Sequence, residues 1–159
     1  MSDESPDSDR TAGAASETVS IGTRGPTIVA ESVDRRDFVR YAGASGDFNP
    51  LHYDDEYARA AGHDGVFAQG MFTAGILSRA ATEWFGVGAV RAFDVRFLDT
   101  VRPGDTVRAF GVVSDVREED GACVVELELT AETNDETAVA AGSATVRPSA
   151  EGEESAREG

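Results

Sequence analysis

The hydrophobic pattern of the chain changes period near Ala89, and that switch limits the folds open to it. Upstream, residues 66–85 read VFAQGMFTAGILSRAATEWF. Met71, Phe72, Ile76, Leu77, Ala80, Ala81, Trp84 and Phe85 cover nearly every direction of a helix. A helix apolar all round is expected to be buried. Its small residues, Gly70, Ala74, Gly75 and Ala81, let other backbone approach closely. Downstream the period is two: Arg91, Phe93, Val95 and Phe97 alternate with Ala92, Asp94 and Arg96. Four strands are expected, one from Ala89 and the others over 106–117, 122–132 and 137–147. The sequence VRPGD and polar turns at 118–121 and 134–136 separate them. Strands joined by short turns pair antiparallel. The expected class is α+β, a curved antiparallel sheet wrapped around one buried helix.

Before that helix, residues 27–31 can form an entering strand, and Ser32 or Asp34 can cap a helix. Phe38, Tyr41 and Ala42 then share one face, with Arg35, Arg36 and Arg40 largely on another. Gly43 and Gly46 weaken the last turn, so the helix should end just before Asp47. Pro50 blocks continuation and disfavours α geometry at Asn49. A loop at 47–52 is thus held between a helix end and a proline. Residues 54–61 read as a short second helix with acids at its positive end. His63 reads as a loop residue.

Thirty acidic residues face 14 basic ones, giving a net charge of −16, and every basic residue is arginine. Nucleic acid and anionic membrane surfaces are therefore unsuitable partners. A domain charged in this way repels itself until salt screens it. The lysine gap and scattered acid resemble proteins of salt-accumulating halophiles, so a requirement for molar salt is expected. The single cysteine, Cys123, excludes an internal disulfide and lies in an apolar run, where a buried small hydrophobe is expected. Residues 1–20 and 149–159 are acidic and poor in large apolar groups, hence expected to be disordered tails around one domain at 21–148. No secretory signal and no run approaching the ~20 apolar residues of a membrane span is present, so a cytoplasmic protein is expected.

Chemistry concentrates in the loop. Asp47 and His52 on a rigid mount could form an acid–base pair that positions one water. Asp, Asn, Gly and Pro are also ordinary turn residues, and spacing alone favours a structural turn, with the acid–base reading left open. The longer string, YAGASGDFNPLHYDDEYARAAG, resembles the signature of the MaoC-like, or (R)-specific, enoyl-CoA hydratases. Ser45, Gly46, Asp47, Asn49, Pro50, Leu51 and His52 match that pattern position for position. QGMFTAGILSRA is similar to the family's HGM segment, with Gln69 where the family usually has histidine. The resemblance covers roughly residues 25–147.

What the resemblance implies is a hot-dog fold, usually dimeric, acting on an acyl-CoA thioester with no cofactor and no metal. Asp47 and His52 would be catalytic, activating water for addition to a trans-2-enoyl thioester to give the (R)-3-hydroxyacyl product, or for the reverse dehydration. Asn49 would brace the loop. The Gly70 N–H would stabilise the thioester oxyanion, a role suited to a helix start. Ser78 would lie near the site. CoA phosphates would need local positive charge, with Arg79, Arg91, Arg96 and Arg102 as candidates. Two other activities fit a hot-dog fold: a thioesterase, and a non-catalytic subunit that binds acyl thioesters.

Overall fold

The computed structural model describes residues 19–148 of the 159. The tails expected to be disordered lie outside these residues, save Val19 and Ser20; Val19 packs half-buried on the core. The chain runs β1 (Ile28–Ala30), α1 (Arg35–Ser45), a 3₁₀ turn (Pro50–His52), α2 (Asp55–Ala60) and α3 (Gly70–Phe85). After a second 3₁₀ turn (Val87–Ala89) come β2 (Val90–Phe97), β3 (Val107–Glu119), β4 (Ala122–Glu132) and β5 (Ala138–Val146). No helix among the described residues is long and apolar enough to cross a membrane.

Local chemistry explains the boundaries. Asp34 caps α1 by accepting from the N–H groups of Arg36 and Asp37, while the Asp37 carboxylate returns to the Asp34 N–H at 2.9 Å. Gly46 ends α1 at φ 78°, a left-handed geometry that glycine adopts without steric cost, with its N–H on Ala42 O at 2.8 Å. The long helix begins at Gly70 rather than Val66. The preceding backbone is claimed by other partners: the Phe67 N–H donates to Leu51 O at 3.4 Å and the Ala68 N–H to Val101 O at 2.8 Å.

All strand contacts are antiparallel, in the order β1-β3-β4-β5-β2. β3, β4 and β5 form the expected meander. β2 departs from it: it pairs with β5, so the VRPGD stretch is part of a crossover and not a hairpin turn. The crossover is held at three places. Leu98 N–H donates to Val139 O, Val101 O accepts from Ala68, and Gly104 N–H and Asp105 O bond Val33. This path carries the chain past the start of α3, which explains why sequential strands fail to pair.

The sheet closes on α3 through Val107, Ala109, Val113, Val125, Leu127, Leu129 and Val146, all buried. Leu77, Ala80 and Ala81 meet them from the helix. Burying one such leucine contributes about 1.5–3 kcal/mol. The expectation of all-round burial is corrected on one stripe. Met71, Gly75, Arg79 and Glu83, four residues apart, are exposed, and Arg79 pairs with Glu83 at 2.6 Å. Cys123 is also exposed, against expectation, because it pairs with Glu118 near the β3–β4 hairpin end, beyond the inward-facing core positions.

The outer face of the same hairpin carries charge. Arg117 meets Glu126 at 2.9 Å, Asp115 at 3.3 Å and Glu119 at 3.5 Å; Arg147 meets Glu119 at 3.4 Å. The hydrogen bond to Glu126 raises the Arg117 pKa above its ordinary value. Val124 pairs with Arg117 across the strands and is buried although it alternates outward from Val125.

Candidate active site

The loop after α1 is built by a relay of side-chain-to-backbone bonds. Ser45 Oγ donates to Tyr41 O at 2.7 Å and accepts from the Asp47 N–H at 3.1 Å. Asp47 Oδ1 accepts from the Asn49 N–H at 3.3 Å, and Asn49 Oδ1 accepts from the Leu51 N–H at 3.1 Å. Asn49 thereby caps the 3₁₀ turn in which Pro50 takes an early position and His52 the last. The His52 N–H closes that turn on Asn49 O at 3.1 Å. Most motif residues thus contribute locally: Ser45 links, Gly46 ends α1, Asn49 caps the 3₁₀ turn and Pro50 opens it.

The relay fixes which atoms remain free. Oδ1 of Asp47 is engaged by backbone, so Oδ2 faces His52, 3.6 Å from Nε2. His52 is 8% exposed and its Nδ1 lies 2.8 Å from Phe67 O. A carbonyl only accepts, so Nδ1 carries a proton, and in the neutral ring Nε2 presents its lone pair toward Asp47. The Phe67 ring also meets the His52 ring edge-on at 5.4 Å, and the His63 ring lies tilted against it at 4.6 Å. At 3.6 Å the two basic atoms are too far apart for a strong direct hydrogen bond, yet one water oxygen can touch both at about 2.8 Å.

Three residues beyond Phe67, α3 starts. The Gly70 N–H is at the first helical position, where no intrahelical carbonyl is within reach, and it finds no partner among the described residues. A Cβ at Gly70 would lie 3.1 Å from the ring of Phe97, which would have to give way, so glycine also eases helix–sheet packing. Both readings of this glycine are compatible. Ser78 is half-buried two turns further on, its hydroxyl donating to Gly75 O at 2.8 Å and making no bond to Asp47 or His52. Of the candidate arginines, Arg79 is paired with Glu83, Arg102 with Asp64 at 3.1 Å, and Arg91 donates to Gly88 O at 2.6 Å. Arg96, exposed on β2, has no ion pair among the described residues.

Asp55 is the supporting residue that sequence reasoning missed. It accepts from the Val66 N–H at 3.1 Å and from Arg35 at 2.7 Å, tying α1, α2 and the segment before α3 together. The Val66 N–H, and after it Arg35, hold its carboxyl below the usual carboxylate range. The available signal was the second aspartate of YDDEY, hidden because both look like helix-start acids.

The model of the MaoC like domain matches residues 16–135. The chain belongs to this MaoC-like family. Its curated relatives include the peroxisomal enoyl-CoA hydratase 2 of Arabidopsis thaliana, 36% identical over 92 residues, 56% of this chain and 30% of that protein. Another is the peroxisomal multifunctional enzyme type 2 of Mus musculus, 31% identical over 93 residues, 57% of this chain and 13% of that one. The chain therefore spans under a third of these relatives' length. An R-hydratase of Pseudomonas aeruginosa superposes with TM-score 0.71 at 25% identity, covering 82% of this chain and 83% of its own. An (R)-hydratase from A. caviae involved in PHA biosynthesis has the same fold, TM-score 0.74 at 23% identity, over 84% and 99%. The fold of this MaoC-like chain is the hot dog, with α3 as its central helix.

Proposed function

We propose that this MaoC-like chain hydrates trans-2-enoyl-CoA to (R)-3-hydroxyacyl-CoA, or catalyses the reverse dehydration, in the cytoplasm and with no cofactor. The observation that carries this reading is the pair of facing atoms, Asp47 Oδ2 and His52 Nε2, 3.6 Å apart, with His52 held by Phe67 O three residues before the helix start at Gly70, whose N–H has no partner among the described residues. One of the pair takes a proton from water as its oxygen bonds C3. The C2–C3 π electrons move toward the thioester, and the negative charge on the carbonyl oxygen is met by the Gly70 N–H. The pair then returns a proton to C2 on the same face. Asn49 holds Asp47 and His52 in register. Ser78 is assigned to the more distant wall of the site.

We further infer that two copies pair through β2. Its eight residues form a sheet edge, and Phe97 and Leu98 are half-exposed at the end that packs on Gly70. Light scattering should give twice the chain mass.

The activity test follows the absorbance of crotonyl-CoA in high salt. Loss of the conjugated band without thiol release supports hydration. Thiol release would establish a thioesterase, and binding without either change an accessory subunit.

A further inference from the structure

Gln69 is completely buried and stands at the N-cap of α3, yet its side chain makes no capping bond. Nε2 instead donates at 2.9 Å to the carbonyl oxygen of Phe38, the fourth residue of α1. The opposite amide orientation would set two oxygens against each other, so this assignment is fixed by chemistry. Oε1 has no hydrogen-bond partner among the described residues. The Phe38 carbonyl lies inside α1 and already accepts from the helix four residues on. The bond from Gln69 is therefore not needed to satisfy it. A buried amide with one end unpaired is destabilising relative to an apolar side chain of similar size. Stability does not explain this glutamine.

Its position does. The carbonyl of Gln69 and the N–H of Gly70 belong to one rigid peptide plane. That plane is gripped at the carbonyl by the Phe72 N–H at 3.1 Å and the Thr73 N–H at 3.4 Å. At the Gln69 Cα it is gripped by a side chain anchored in α1. Phe38 and Tyr41 also join α1 to α3, edge-on to Phe72 at 5.8 and 5.9 Å, but these are ring packings that can slide. α1 ends one residue before Asp47 at the Gly46 cap. The Gln69–Phe38 bond is thus a directional link between the helix that leads into Asp47 and the peptide whose N–H the proposed mechanism sets against the thioester oxygen.

We propose that Gln69 is a positioning residue, which sets the Gly70 N–H against Asp47 and accepts an orphaned Oε1 to do so. The proposal rests on the hydratase reading for its catalytic consequence. Gln69→Met removes both the donor and the orphan, whereas Gln69→His keeps a donor at the position. Q69M should melt no lower than the parent chain, while kcat for crotonyl-CoA falls about tenfold with KM little changed, the pattern of lost orientation. Q69H should recover most of kcat. The Gly70 amide resonance in a ¹H–¹⁵N spectrum should move in Q69M and return toward the parent position in Q69H. Parental kcat in Q69M, an unmoved Gly70 amide, or a Q69M chain too unstable to fold would each overturn the proposal. If the parent chain itself leaves crotonyl-CoA unchanged, the hydratase reading fails, and the Gly70 resonance alone then judges the positioning.

Discussion

Two regions of this chain are rich in polar groups and are held by opposite means. The loop from Ser45 to His52 is fixed by short directional bonds, most of them between a side chain and a neighbouring backbone N–H. The outer face of the β3–β4 hairpin is held by charge, with Arg117 and Arg147 among Asp115, Glu119 and Glu126. Hydrogen bonds of the first kind depend on angle and distance and respond weakly to ions. Exposed ion pairs are screened within roughly 8–10 Å at ordinary ionic strength. A protein with a net charge of −16 can thus keep a stable loop geometry while its surface answers to salt.

The largest break in this comparison comes from the loop's two free atoms. Asp47→Asn leaves Oδ1 able to accept from Asn49 but removes the charge facing His52. His52→Ala removes the imidazole and its bond to Phe67 O. Each should lower kcat by at least ~10²-fold, the scale of a lost acid–base group. D47N should do so with little change in melting temperature, since Asp47 is nearly half-exposed. Turnover within a few-fold of the parent in a folded D47N chain would refute the assignment.

A smaller break tests the relay itself. Asn49→Ala removes the cap of the 3₁₀ turn and leaves Asp47 and His52 chemically intact. It should cost about 1 kcal/mol of stability, the usual value of such a cap. Its kcat should fall as well, because His52 sits on the turn that Asn49 caps. Denaturant unfolding and steady-state kinetics on the same preparation separate the two effects.

Much of this was legible in the sequence because the signals are local. The end of α1 followed from Gly46, the α2 start from adjacent acids, and β4 from the alternation of Val125, Leu127 and Leu129 with Glu126, Glu128 and Thr130. What escaped was long-range. The pairing of β2 with β5 depends on a crossover pinned by Ala68 and Val33, which no local pattern announces. The exposed stripe Met71–Gly75–Arg79 stayed hidden because small and apolar residues surround the helix regardless of what covers them. The site divides the same way. Asp47, Asn49 and His52 stand together as one string, whereas Phe67, Asp55 and the Phe38 carbonyl act from other segments. The exposure of Cys123 was equally hidden, since an apolar run does not reveal where a hairpin outgrows its core.

Salt sharpens the contrast between the regions. We propose that the chain is adapted to high salt, and its melting temperature should rise from dilute buffer to molar KCl as screening relieves the excess acid. A flat or falling curve would reject this. Within that series, the loss caused by Arg117→Ala should shrink as KCl rises, because the ion pairs it removes are already weakened. The loss caused by Asn49→Ala should stay constant. Equal salt dependence for the two variants would dissolve the distinction between a directional loop and a charge-held surface.

The smallest effect lies where both kinds of interaction meet, at Asp55, which takes a backbone N–H from Val66 and a guanidinium from Arg35. Both lower its pKa in the folded chain. The folded state therefore favours the carboxylate, and the resulting stability is fully present above the unfolded carboxylate value of about 4. It is lost as the pH falls through the lower folded value. Asp55→Asn keeps an oxygen for the Val66 N–H and discards the charge, so its deficit reports the charged part alone. Melting temperatures of the parent and D55N chains should differ by a constant amount from pH 8 to 5 and converge below about pH 4. A difference that persists unchanged into acid would mean that Asp55 braces the site by shape and backbone bonding, as the loop does, and not by charge.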